Sequence, residues 1–149
     1  MRRGAVLVFA TLVVTPVHAA SPVEDQFKQF NLFGRWAADC NQPATPANPH
    51  VSVTLPSEGL VLEEYDLGPE FVHNRYSVLA ASRVSDTRLS VDVIFQPGAQ
   101  NEERQKLTFL IRKGTRRTMF NQPDGGNVRV RDGIALAYRT KTPMLRKCD

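Results

Sequence analysis

Chemistry in this 149-residue chain could rest on few side chains: two cysteines, two histidines beyond the first twenty residues, an adjacent glutamate pair and a late run of arginines. His50 and His73 stand 23 positions apart, and neither falls in a zinc-site or catalytic-triad spacing. They read best as surface or half-buried side chains. Glu63 and Glu64 are neighbours, so in a strand they point to opposite faces and cannot act as a carboxylate pair with each other. At most one of them faces an interior, where a glycosidase would need it to meet a distant acid. No Gly-x-Ser-x-Gly elbow, phosphate loop or dinucleotide fingerprint occurs. The expectation is a protein that is not an enzyme and carries no metal or cofactor.

Cys40 and Cys148 take their meaning from the compartment, which the N-terminus indicates. Met1-Arg2-Arg3, an apolar run over 4–14 and the small-residue end Val17-His18-Ala19-Ala20 follow the order of a cleavable signal peptide. The run is too short and too interrupted for a membrane span, which needs about 20 apolar residues. Residues 1–20 are therefore expected to be removed, leaving a periplasmic or secreted domain over 21–149 with no transmembrane segment. Two cysteines in an oxidising compartment argue for one disulfide. Closing a loop of 108 positions would stabilise the fold by about 4 to 5 kcal/mol on the chain-entropy model and return the C-terminal tail to the first strand.

Charge is unevenly placed along the chain. Residues 21–100 carry 5 basic and 10 acidic side chains, net −5, while residues 101–149 carry 12 and 5, net +7. Arg112, Lys113, Arg116 and Arg117 cluster around one hairpin, a basic patch that would attract lipid headgroups, acidic polysaccharide or an acidic protein face. Nucleic acid is a poor fit to the compartment, and no aromatic residues interleave with the cluster. Alternatively, the acidic and basic halves interlock as neighbouring strands and leave no patch.

The elements that must position these groups are mostly strands. Ser21-Pro22-Val23-Glu24 reads as a capped helix start, with a short helix through Asn31 burying Phe27 and Phe30. From Gly34 the apolar period becomes two. Strands are expected at 34–40, with Trp36, Ala38 and Cys40 on one face, at 50–55, with Val51, Val53 and Leu55 alternating, and at 60–66, where Leu60 and Leu62 share a face. Further strands follow at 71–84, including Tyr76, Val78 and Ala80, at 89–95, 104–112, 116–121, 128–131 and 134–138. The clearest alternation is Leu89, Val91, Val93 and Phe95. Eight or nine short strands with hairpin-length links imply a mainly β antiparallel meander, closing as a barrel or folding as a sandwich, with a short N-terminal helix.

Phe33-Gly34-Arg35-Trp36, opening the first strand after a short helix, resembles the Gly-x-Trp signature of lipocalins and other calycin barrels. That resemblance implies a barrel whose floor Trp packs against a late Arg, with Arg139 as the matching residue, its guanidinium stacked on the indole. The family's Thr-Asp-Tyr motif is not evident. The segments Trp36–Cys40 and Thr142–Cys148 also resemble those of small exported bacterial proteins, which implies nothing about activity.

Three functions fit these elements. The favoured one is a binding module for a small apolar or amphipathic molecule, with Tyr65, Tyr76, Phe95 and Phe109 lining its interior. A protein-interaction module, such as an inhibitor of an envelope hydrolase, would use the proline-rich loop 41–49 tethered at Cys40. An enzyme comes third.

Overall fold

A computed structural model describes residues 22–148. The signal peptide expected over residues 1–20 and the Ser21 cap lie outside the described residues.

The helix α1, Pro22–Gln29, forms where the sequence places it. Proline occupies an early position that needs no N–H, Glu24 and Asp25 sit in the first turn, and Lys28 in the last turn pairs with Glu24 four residues back. It ends in a Schellman-type turn: Asn31 is left-handed at φ 52°, its N–H donates to the Lys28 carbonyl, and the Leu32 N–H donates to the Phe27 carbonyl. Phe27 is buried, while Phe30 is only half-buried.

Eleven strands follow: β1 Gly34–Ala37, β2 His50–Ser57, β3 Leu60–Asp66, β4 Asn74–Ser85, β5 Arg88–Phe95, β6 Glu103–Arg112, β7 Thr115–Pro123, β8 Val130–Arg131, β9 Ile134–Ala135, β10 Thr140–Lys141 and β11 Leu145–Cys148. β1 to β7 pair antiparallel in chain order, and β11 lies between β7 and β1. The sheet thus closes on itself as an eight-stranded up-and-down barrel, not a sandwich. β8, β9 and β10 form a flap outside it, hydrogen-bonded to the upper part of β7.

Alternation decides what fills the barrel. Val51, Val53, Val61, Val78, Leu89, Val91, Val93, Leu107, Phe109 and Ile111 form one buried cluster with Trp36, Phe27 and Leu32. The helix closes one end. Its Glu24 accepts from the Gly59 N–H in the β2–β3 turn, Phe30 lies against Arg83, and the Trp36 indole N–H donates to the Leu32 carbonyl at 2.8 Å.

Several expectations are corrected by irregularities that alternation does not announce. β1 ends at Ala37, so Ala38 is exposed and Cys40 belongs to the following loop. A register shift between Thr54 and Ser57 takes Leu55 out of the core, and another between Val78 and Ala80 turns Ala80 outward. Leu60 and Leu62 do share a face, but it is the outer one, and Val61, Glu63 and Tyr65 point inward. The eighth barrel strand is the C-terminal tail, and the segment expected as a strand over 134–138 belongs to the flap. Cys40 and Cys148 are joined as a disulfide that ties the loop after β1 to this closing strand. Such a bond fits an oxidising environment.

Candidate ligand-binding cup

Halfway up the barrel the apolar filling gives way to charge. Glu63 on β3 and Arg116 on β7, 53 positions apart, meet across the interior with 3% and 1% of their side chains exposed. The guanidinium donates from both terminal nitrogens to the two carboxylate oxygens, at 2.9 and 2.8 Å, and again to the Tyr65 hydroxyl at 3.0 Å. The Tyr65 hydroxyl in turn donates to Glu63 at 3.2 Å. Ring faces complete the enclosure, with the guanidinium carbon 4.4 Å from the Phe109 centroid and 5.8 Å from that of Trp36. Burial alone would lower the Arg116 pKa. The Glu63 charge and hydrogen bonds more than offset it and hold the group above its ordinary value, so the guanidinium is charged.

Above this pair the barrel opens. A cavity of about 600 Å³ is walled by Tyr65, Tyr76 and Phe95 on one side and by Gln105, Thr118 and Asn121 on the other, with flap residues Val130, Ala135, Leu136 and Tyr138 along its margin. Its aromatic wall is continuous: Tyr65 and Tyr76 meet edge to face at 5.4 Å, and Tyr76 and Phe95 lie tilted at 49° with centroids 5.2 Å apart. Burial, then the Glu63 charge, pushes both tyrosines far above the ordinary phenol range, so their hydroxyls stay protonated. Asn121 donates to the Gln105 side-chain oxygen at 2.7 Å, which fixes both amides at the cup wall. The floor ions neutralise each other, and at the rim Arg129 pairs with Glu103. The cup thus offers apolar rings with neutral hydrogen-bonding groups.

Three of the four aromatics named from the sequence, Tyr65, Tyr76 and Phe95, stand together in this wall. Phe109 does not join them, because it lies in the packed layer below, under Arg116. The cation over Trp36 is Arg116, with Lys147 on the same ring at 5.7 Å. Arg139 is instead exposed in the flap, since the chain leaves the barrel before reaching it. The basic patch is dispersed for the same reason that strands have two faces. Arg116 points inward, Arg117 is half-buried against the flap, and only Arg112 and Lys113 remain exposed at the hairpin. His50 Nε2 lies 2.9 Å from the Gln42 carbonyl oxygen, to which it donates, and His73 lies between Glu64 and Asp66, so the two are not brought together. Donation from His73, then from Arg75, holds the Glu64 carboxyl below its ordinary range. Among the described residues no group of three or more His, Cys, Asp or Glu side chains could hold a metal ion, and no helix is long and apolar enough to cross a membrane.

Gln105 and Asn121 are not singled out by the sequence, and Glu63 enters it only as half of an adjacent pair of which at most one faces the interior. Gln105 shares the parity of Leu107 and Phe109, so a polar residue on the inward face of an apolar strand was the available signal.

The fold and its interior define a closed eight-stranded up-and-down β-barrel, plugged at one end by a helix and open at the other as an aromatic cup over a buried ion pair. No protein-family model, curated protein or solved structure matches the chain.

Proposed function

We propose that the protein is an exported binding module that holds a small, uncharged, apolar or amphipathic molecule in the cup, in the manner of a lipocalin-like barrel. The observation that carries this reading is the continuous Tyr65–Tyr76–Phe95 wall facing fixed amides across about 600 Å³, a volume in the range of small-molecule sites. Among the described residues the Tyr76 hydroxyl has no hydrogen-bond partner, so it is available to a ligand. Neutralisation of the floor charges disfavours an ionic guest, because a charged group entering would need a counter-ion that is already engaged. Native mass spectrometry of protein purified from its own envelope tests this. Extra mass that is lost on denaturation, and lost in Tyr76→Ala, supports the reading, whereas a bare domain that gains no mass from an envelope lipid extract overturns it.

One observation favours the second reading, a presented loop that docks on an envelope protein. Asn48 donates to the carbonyls of Asp39, Gln42 and Pro43, and Cys40 anchors the loop base, so residues 41–49 are held in shape before any encounter.

A further inference from the structure

Residues 124–144 leave the barrel between its seventh and eighth strands and return as the three-stranded flap. Register separates its two faces. Arg131 and Lys141 both stand opposite Ile134, while Val130 and Thr140 both stand opposite Ala135. Val130 and Ala135 line the cup, so the face holding Arg131, Ile134 and Lys141 turns to solvent. The β9–β10 turn, residues 136–139, is the tip, and there apolar side chains project into water: Tyr138 is 80% and Leu136 43% exposed, with Arg139 beside them. Among the described residues Arg131, Arg139 and Lys141 have no ion-pair partner, unlike Arg129, which Glu103 holds. Asp124 and Asp132 are the only acids in the segment.

We infer that the flap is a docking element for an anionic lipid bilayer. Tyr138 and Leu136 enter the boundary between headgroups and acyl chains, and Arg131, Arg139 and Lys141 meet the headgroup phosphates. A tyrosine suits that boundary because its ring is apolar and its hydroxyl polar. Each cation held near an anionic surface strengthens attachment about fivefold. An acidic protein face fits less well. A stable protein interface buries about 800 Å² on each side, whereas a four-residue turn presents two large side chains, which a lipid boundary accepts singly. Leu136 and Tyr138 also stand at the margin of the cup, so docking would set the cup mouth at the membrane.

Two measurements on the exported protein test the inference, using vesicles of phosphatidylglycerol and phosphatidylcholine in equal parts. An indole placed by Tyr138→Trp should shift to the blue on binding and lose at least half its emission to acyl-chain-brominated lipid. One placed by Val84→Trp, exposed at the far end of β4, should do neither. The buried Trp36 is common to both. Arg131→Ser/Arg139→Ser/Lys141→Ser should weaken vesicle binding tenfold or more, whereas Arg112→Ser/Lys113→Ser should leave it within twofold. Attachment that leaves the Tyr138→Trp indole unquenched, or that survives the triple substitution, overturns the inference and leaves the basic face to an acidic protein.

Discussion

Arg116 and Glu63 give up water on entering the barrel, a step that costs several kcal/mol per ion. It is offset only because every donor direction in use is met: two carboxylate oxygens, the Tyr65 hydroxyl and two ring faces. Such a pair contributes little over an apolar filling but is costly to break. Arg116→Met is therefore expected to destabilise the protein by about 3 to 5 kcal/mol, because it strands a buried carboxylate. Adding Glu63→Leu to that variant should recover most of the loss, as urea unfolding of the singles and the double would read. Equal losses in single and double variants would mean that the two residues are not one unit. Neither partner was legible as such in the sequence. Glu63 could be placed inward or outward only by its strand's parity, and Arg116 was submerged in a run of four nearby cations that looked like one surface.

At the scale of elements, legibility followed regularity. Leu89, Val91 and Val93 alternate without interruption and lie buried as their period requires, and the helix declared itself through Pro22 and its early acids. Bulges were invisible, since one extra residue reverses every later side chain without any change of composition. The flap was misread for a related reason: its strands are two residues long, too short for a period to register. Tertiary contacts hold it instead. Arg117 donates to the Gly133 carbonyl at 2.6 Å and to the Thr142 hydroxyl at 3.1 Å, and that hydroxyl donates to the Thr118 carbonyl. Hydrogen bonds from a charged group contribute about 1.5 to 3 kcal/mol, roughly tenfold or more in a local opening equilibrium. Arg117→Ala should accordingly speed hydrogen exchange at the Leu136 and Thr142 amides, which bond to Arg129 and Gly133 carbonyls within the flap, by at least tenfold. Exchange at Val91 and Val93 should not change. A uniform acceleration would show that flap and barrel open together.

The whole molecule depends on a narrow seam. β1 and β11 are four residues each, yet they carry the closure, with β11 bridging β1 and the lower part of β7 while β8 takes the next stretch of that edge. Only Leu145 of the closing strand is fully buried, so hydrophobic burial there is slight and the strand was not legible by pattern. What was legible was the covalent tie: a cysteine next to the end of the chain and one just past the first strand, which brings the tail home whatever its own propensity. Cross-linking across 108 positions restricts the unfolded chain and, by holding Cys148 beside the loop after β1, makes β11 pairing local. Cys40→Ser/Cys148→Ser should lower unfolding free energy by about 2 to 5 kcal/mol. Exchange at Lys147, whose N–H donates to the Gly114 carbonyl across the seam, should then rise earlier than exchange in β5 as urea is added. Loss of both at one urea concentration would show that the seam is held by the sheet and not by the disulfide.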